Sequence, residues 1–240
     1  MPNAEEEFAR LTESLRERFA AHAWSASCYR RFAPQLSFGR HRGPAAPDAK
    51  PAAVVALFYP AGGQWHLPLI LRPDSMIYHP GQISLPGGRA EPGEAAEACA
   101  LRELHEELGV APNEVTILGS LPPLFVYASN FLVHPLAAIA PQRPAFRPDS
   151  REVAELLELP LPHLMDERNR GTCTIVRASL SFQAPCIEFQ NWRIWGATAL
   201  ILGQLLDVIC GDAERELLAE VIFRRNGAAH GTSTREATGL

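Results

Sequence analysis

Gly87-Gly88-Arg-Ala-Glu-Pro-Gly-Glu94, continued after seven residues by Arg102-Glu-Leu-His-Glu-Glu-Leu-Gly-Val110, is the most informative segment of this chain. Its second half predicts an amphipathic helix over residues 94–108, which Gly109 ends. Glu103, Glu106 and Glu107 stand at positions i, i+3 and i+4, so their carboxylates share one helix face. The opposite face carries leucines that are expected to pack into the core: Leu101, Leu104 and Leu108.

The glycines before this helix indicate what the acidic face is for. Neighbouring carboxylates repel one another, and a divalent cation among their oxygens relieves that repulsion. Pro86-Gly87-Gly88 lets the backbone approach a ligand closely, with carbonyl groups that can face a metal. The combination predicts a site for Mg²⁺, with Mn²⁺ as a substitute, and a diphosphate. A solvated acidic surface helix is the simpler interpretation, but it leaves the glycines and prolines at their fixed offsets unexplained.

The flanking segments predict an α+β domain with a layered α/β/α sandwich and a mixed sheet. Residues 53–59 and 65–72 read as strands joined by a turn at residues 60–63. Further strands are predicted at residues 113–119, 131–139, 172–180 and 186–194, and a mostly buried helix at residues 196–210. The elements do not alternate strictly between strand and helix, which disfavours a doubly wound sheet.

Outside this domain the sequence predicts three further parts. Residues 1–36 form a helical extension, with Phe8, Leu11, Leu15 and Phe19 on one stripe of a helix over residues 4–21. Residues 37–52 are a linker rich in Gly and Pro, and the main domain spans residues 53–224, with a short final helix at 212–224. Residues 225–240 are predicted to be a disordered tail. The apolar stripe of the first helix allows a homodimer without demonstrating one.

Composition excludes several classes of protein. The net charge of −5 disfavours a nucleic-acid binder that works through a broad basic surface. No apolar stretch is long enough to span a membrane, and no signal peptide is visible at the N-terminus, so the predicted location is cytoplasmic. The five cysteines have no metal-knuckle spacing and are expected to be reduced thiols, with Cys99 a buried small hydrophobe. The expected partner is a small-molecule nucleotide.

The quoted stretch resembles the Nudix box. Counting from Gly88, five residues lead to Glu94 and seven more lead to Arg102, after which the pattern runs Arg-Glu-Leu-x-Glu-Glu-x-Gly-Val. The resemblance implies a Nudix fold and a pyrophosphohydrolase. It also implies that Glu103 and Glu107 are the main metal ligands, that Glu106 adds a ligand or holds a metal-bound water, and that the carbonyl of Gly87 or Gly88 completes the set. Arg102 would orient the glutamates by ion pairing, and Glu94 would pair with Arg102.

The segment before the box resembles the coenzyme A pyrophosphatases within that family. The matching residues are Arg72 and His79-Pro80-Gly81-Gln82, and similarity continues in the segments 151–161 and 193–198. Arg72, His79 and Gly87 are therefore expected to bind the substrate. Ile77 departs from the pattern, because that subfamily has a second arginine there, which would suit a phosphate. Ile70 and Leu85 also differ, where that subfamily usually has Thr and Phe.

Coenzyme A or an acyl-CoA is the expected substrate, cut to 3′,5′-ADP and 4′-phosphopantetheine or its acyl form. ADP-ribose, another ADP-sugar, NADH and dinucleoside polyphosphates are the alternatives within the reaction class. The His-Pro-Gly-Gln segment disfavours a hydrolase of damaged nucleoside triphosphates. A binding or regulatory module that has lost catalysis is the alternative of another class, and such modules typically lack box glutamates that this chain retains.

Several individual roles stay open at the level of sequence. Glu152 is the candidate general base, against the alternatives of an exposed carboxylate or of Glu106 as the base. Trp192 and Trp195 suit the core better than adenine stacking, because large aromatics before an apolar helix are usually packed inside. His79 either contacts a phosphate or shapes a turn. Tyr127 and Asn130 are expected to line the pocket.

Overall fold

The computed structural model of this protein describes residues 4–21, 32, 44–76, 79–177 and 180–209. The predicted final helix at 212–224 and the tail at 225–240 lie outside the described residues, as do Cys28, Ile77 and Cys210. The helices are α1 (Ala4–Ala21), α2 (Ala96–Leu108), α3 (Leu161–Met165) and α4 (Gly196–Ile209).

Eleven strands are found within the described parts of the chain. They are β1 (Lys50–Ala61), β2 (Gln64–Leu71), β3 (Ile83–Ser84), β4 (Gly87–Arg89), β5 (Thr116–Ser120), β6 (Leu124–Val126), β7 (Phe131–Ile139), β8 (Glu155–Pro160), β9 (Arg170–Arg177), β10 (Leu180–Phe189) and β11 (Trp192–Trp195).

A mixed sheet forms the centre of the domain, as predicted. Its order is β3-β2-β1-β7-β5, and β8, β4 and β6 pair with β2, β1 and β7 respectively. Strands β1 and β7 run parallel from Lys50 opposite Phe131 to Phe58 opposite Ile139, whereas β1 and β2 form the predicted antiparallel hairpin. Strands β9, β10 and β11 make a separate antiparallel sheet. The structure thus confirms an α+β domain rather than a doubly wound one.

Helices α2 and α4 cover opposite faces of the central sheet. Alternate residues of β1 point to opposite faces and so pack against different helices. Val55 and Leu57 belong to the apolar cluster that contains Leu104 and Leu108 of α2. Ala56 and Phe58 belong to the cluster that contains Leu202, Leu205 and most of the other apolar residues of α4. This arrangement is the predicted α/β/α sandwich.

Helix α1 packs against this sandwich. Its residues Leu15 and Phe19 are buried in the same cluster as α4. The Phe19 side chain covers Gly119 of β5 so closely that a Cβ on Gly119 would lie 2.7 Å from the Cβ of Phe19. The Arg18 guanidinium donates to the carbonyl of Ile209 at 3.3 Å. No helix of the described segments combines the length and the apolar character that crossing a bilayer demands.

The structure corrects several predictions about individual strands and one about a core residue. The strand predicted at 113–119 begins at Thr116, because Pro112–Glu114 form a 3₁₀ turn. The strands predicted at 172–180 and 186–194 are instead three, β9 to β11, with β10 occupying the predicted gap between them. Leu101 is only partly buried, whereas Leu104 and Leu108 are fully buried as expected.

Candidate active site

The glycine pair before α2 lies where three elements meet. Strand β4 pairs with β1, so that Gly88 lies opposite Ala53, and its other side faces α2. At Gly87, where φ is +146°, a Cβ would lie 2.2 Å from the Ala53 carbonyl oxygen. At Gly88 a Cβ would lie 2.5 Å from the Glu103 carboxylate. Only glycine therefore lets this backbone lie between β1 and the acidic face of the helix.

Three carboxylates meet beside the glycine pair. Oxygen atoms of Glu103, Glu107 and Glu152 all lie within 4.8 Å of one another. Glu152 lies next to α2 because the segment before it is hydrogen-bonded to the carboxyl end of that helix. The Asp149 N–H donates to the Glu107 carbonyl at 2.9 Å. The Glu152 N–H in turn donates to the Asp149 carbonyl, also at 2.9 Å. Residues 45 positions apart in sequence thus share one cluster.

Burial makes this cluster electrostatically costly. Glu107 is 1% exposed, and burial raises its pKa from the ordinary value of 4.5 to about 8. Two groups lower the pKa of Glu107 without cancelling the effect of burial. The Gly87 N–H donates to Glu107 Oε2 at 2.8 Å, and Arg72 contributes a positive charge. Burial also raises the pKa of Glu103. Buried like charges of this kind are favoured only when a cation lies among them.

The donor set suits a hard divalent cation. Mg²⁺ binds oxygen ligands at about 2.0–2.1 Å in an octahedron, so its ligand oxygens are spaced by roughly 3–4 Å. The spacing found between Glu103, Glu107 and Glu152 is compatible with that geometry. Among the described residues these three form the one group of at least three His, Cys, Asp or Glu side chains close enough to hold a metal ion.

Arg102 holds the acidic side chains next to the cluster. Its Nε donates to Glu94 Oε1 at 2.8 Å, and its Nη1 donates to both Glu103 Oε1 and Glu106 Oε2 at 2.8 Å. Its Nη2 donates to the Arg89 carbonyl at 3.1 Å. The hydrogen bond from Arg102 is the main cause that lowers the pKa of Glu94 to about 2. The expected pairing of Glu94 with Arg102 is therefore present.

Glu106 does not lie where the helical pattern placed it. Its side chain is 52% exposed and paired with Arg102, outside the cluster of Glu103, Glu107 and Glu152. The reason is angular: with about 100° per residue, Glu106 lies some 60° to one side of Glu103 and Glu107 some 40° to the other. The side of Glu107 faces the glycine pair, and the side of Glu106 faces solvent.

A cavity of about 540 Å³ opens in front of these carboxylates. Of the residues predicted to act in catalysis or to bind metal or substrate, all except Arg102 line it: Arg72, His79, Gly87, Gly88, Glu103, Glu106, Glu107 and Glu152. The rest of its wall is largely apolar, with contributions from β1, β7, β11 and α4: Val54, Phe131, Val133, Trp195, Ala197 and Ile201. The cavity thus joins an acidic end to an apolar wall.

The β6–β7 turn differs from what the sequence predicted. Tyr127 is 63% exposed, and the Asn130 amide donates to Asp48, so neither lines the cavity. Ala128 and Ser129 line it instead. Nothing in the sequence around Ser129 distinguishes it, because its position depends on a turn between two short strands. Trp195 also lines the cavity, whereas Trp192 packs against the core.

Comparisons with known proteins identify a family and several relatives. Residues 49–171 match the NUDIX domain. The human mitochondrial coenzyme A diphosphatase NUDT8 is 34% identical over 144 residues, which cover 59% of this chain and 61% of the human protein. Nudix hydrolases named NudL are similar as well. The one from Enterobacter sp. (strain 638) is 34% identical over 138 residues, 57% of this chain and 71% of that protein.

Solved structures are more distant in sequence. A Nudix hydrolase from M. smegmatis, RenU, is 19% identical and superposes with a TM-score of 0.48 over 68% of this chain and 86% of that chain. A MutT/nudix family protein from Enterococcus faecalis is 14% identical, with a TM-score of 0.47 over 88% of this chain and 79% of that one.

Proposed function

Because the chain belongs to the Nudix family of pyrophosphohydrolases, we propose that it hydrolyses the diphosphate of coenzyme A or an acyl-CoA in a Mg²⁺-dependent reaction. The products are 3′,5′-ADP and 4′-phosphopantetheine or its acyl form. The observation that carries the proposal is the cluster of Glu103, Glu107 and Glu152 at one end of a cavity large enough for an organic ligand.

Glu103 and Glu107 are the proposed metal ligands, and the adjacent Gly88 carbonyl is a candidate further ligand. A bound Mg²⁺ supplies charge neutralisation at the phosphate oxygens and lowers the pKa of a water molecule. Arg102 positions Glu103 through the hydrogen bond at 2.8 Å, so that its carboxylate stays turned toward Glu107. Gly87 positions Glu107 in the same way through its N–H.

Glu152 is the proposed general base. Glu107 is fully buried within the cluster, whereas Glu152 is half-buried and lines the cavity. Glu106 is less suitable, because one of its oxygens is already bound to Arg102. A water oxygen attacks one phosphorus, the oxygen that bridges the two phosphorus atoms leaves with the other phosphate, and Glu152 accepts a proton from the water. One water is consumed, and two phosphate monoesters are formed.

Arg72 and the apolar wall are the proposed binding elements for the rest of the substrate. Arg72 lines the cavity close enough to Glu107 to affect its pKa, which is the position expected for a residue that contacts a phosphate next to the metal. The apolar wall suits a base or a pantetheine or acyl chain. Coenzyme A compounds are preferred over ADP-ribose because of the His79–Gln82 segment and the similarity to NUDT8.

A substrate panel with identified products tests this proposal. Coenzyme A, a medium-chain acyl-CoA, ADP-ribose, NADH and a diadenosine polyphosphate are each incubated with Mg²⁺, Mn²⁺ or EDTA, and the products are identified by mass. We expect release of phosphopantetheine or its acyl form to be fastest and to stop in EDTA. Faster turnover of ADP-ribose than of any coenzyme A compound would overturn the substrate, and turnover in EDTA would overturn the metal. A chain that binds nucleotides but cleaves none of them is the inactive module considered above.

A further inference from the structure

The loop between β2 and β3 carries a histidine in an unusual backbone conformation. His79 has φ +56°, which is uncommon for a residue with a side chain, although histidine adopts it more readily than most residues do. Two backbone hydrogen bonds close this loop: Arg72 N–H donates to the Gln82 carbonyl at 3.0 Å, and Gly81 N–H donates to the Arg72 carbonyl at 3.1 Å. His79 therefore belongs to the same closed loop as Arg72.

Both nitrogens of the His79 ring are engaged. Nδ1 lies 3.2 Å from Gln82 Oε1, and Nε2 lies 3.1 Å from Ser129 Oγ. Because an amide oxygen only accepts hydrogen bonds, Nδ1 carries a hydrogen in this arrangement. In the neutral ring, Nε2 then accepts the hydrogen of the Ser129 hydroxyl. In the imidazolium ion, Nε2 donates to Ser129, and the hydroxyl hydrogen becomes available to a third group.

The Ser129 hydroxyl is held on a well-anchored turn. The Ser129 N–H donates to the Val126 carbonyl at 3.2 Å. The Asn130 side-chain amide donates to Asp48, and the Asn130 carbonyl accepts from the Lys50 N–H. Ser129 is 7% exposed and lines the same cavity as the carboxylate cluster, together with His79 and Gln82. The backbone of Ser129 is fixed by its hydrogen bond to Val126, and its Oγ is fixed by His79. The hydroxyl is therefore preorganised to make one more hydrogen bond into the cavity.

We propose that the Ser129 hydroxyl donates a hydrogen bond to a phosphate oxygen of the substrate and that His79 is the residue that positions it. This inference rests on the function proposed above, since it needs a substrate with a diphosphate. The negative charge of that diphosphate favours the imidazolium form of His79, and this form frees the hydroxyl hydrogen. Arg72 and Ser129 would then hold the phosphate that lies away from the carboxylate cluster.

Four variants separate this role from a merely structural link between two loops. Ser129→Ala removes the hydroxyl, and Ser129→Thr keeps it. His79→Asn removes the imidazole but retains a residue type that tolerates positive φ. Tyr127→Ala is the matched control, because Tyr127 is 63% exposed on the same turn and does not line the cavity. For each variant, KM and kcat are measured on the best substrate of the panel. Binding of α,β-methylene-ADP, a non-cleavable diphosphate, is measured by calorimetry with Mg²⁺ present.

We expect Ser129→Ala and His79→Asn each to raise KM and the Kd of α,β-methylene-ADP about 10-fold or more, since a hydrogen bond to a charged group is lost. A double variant that combines Ser129→Ala with His79→Asn should lose little more affinity than either single variant, because the two residues act as a unit. Ser129→Thr should stay within about threefold of the wild type, and Tyr127→Ala should not differ from it.

Two results overturn the inference. One is a Ser129→Ala protein whose KM and Kd lie within twofold of the wild type. The other is an equal loss in Ser129→Ala and Ser129→Thr together with a lowered melting temperature, which identifies the pair as a structural link. The binding measurement also separates this inference from the proposed function. A wild-type protein that cleaves nothing in the panel refutes the proposed function, while the effect of Ser129→Ala on α,β-methylene-ADP still decides the role of Ser129.

Discussion

Replacing Glu107 by Gln should stabilise the metal-free protein while it removes activity. The pKa of Glu107 is raised from 4.5 to about 8 in the folded protein, mainly by burial. The folded protein therefore binds a proton at this site more tightly than the unfolded chain does. The stability associated with that proton is complete below about pH 4.5 and is lost as the pH rises toward 8.

The size of the effect follows from the position of pH 7 between these two values. A pH of 7 lies about 2.5 units above the ordinary pKa of 4.5, and each unit corresponds to about 1.4 kcal/mol. Burying Glu107 at pH 7 therefore lowers the free energy of unfolding of the wild type by about 3 kcal/mol. Gln avoids this cost, because it never ionises and its amide oxygen still accepts from the Gly87 N–H. At pH 5 the same reasoning leaves a gain of less than about 1 kcal/mol.

Denaturant unfolding in EDTA at pH 5 and pH 7 measures this difference. We expect the Glu107→Gln protein to gain about 2–4 kcal/mol at pH 7 and much less at pH 5. Added Mg²⁺ should stabilise the wild type and leave the variant unchanged, and kcat/KM should fall about 100-fold or more. Glu106→Gln is the control for stability: its side chain is 52% exposed, so we expect a change within about 0.5 kcal/mol at both pH values. A stability gain in Glu107→Gln that is absent at pH 7, or equal at the two pH values, would contradict a pKa of Glu107 raised by burial.

Two further predictions concern neighbours of the cluster, and a third concerns a hydrogen bond outside the cavity. Gly88→Ala should lower Mg²⁺-dependent activity at least about 10-fold, because the new Cβ would lie 2.5 Å from the Glu103 carboxylate; Gly171→Ala, where a Cβ has open space, should match the wild type in the same assay. Arg102→Lys should lower kcat about 10-fold at saturating Mg²⁺, since an ammonium group cannot hold Glu94, Glu103 and Glu106 in the fork geometry of Arg102. An unchanged kcat would contradict the positioning role of Arg102. Tyr59→Phe should cost about 1 kcal/mol in urea unfolding, through loss of the hydrogen bond to Glu158 at 2.8 Å, and should leave kcat/KM unaltered.

Local sequence patterns were sufficient to predict the central elements and the acidic end of the cavity, but not its apolar wall. The i, i+3, i+4 glutamates, the glycine stop at residue 109 and the alternating strands are local patterns, and each depends on backbone periodicity within a few residues. Helix α2 and strand β7 accordingly lie close to their predicted bounds, and Gly109 has the left-handed conformation of a helix end. The box also identified Glu103, Glu107 and Arg102 as residues that belong together.

Which distant residues join that local pattern depends on long-range packing. Glu152 enters the cluster because its loop is hydrogen-bonded to the end of α2, and Ser129 enters the cavity because a turn between two short strands points it there. Glu106 leaves the cluster because packing buries the Glu107 side of the helix rather than its own. Periodicity determines which side chains share a helix face, but the direction in which that face is buried depends on the sheet and loops that pack against it. Contacts of this kind join residues far apart in the chain, and no local pattern encodes them.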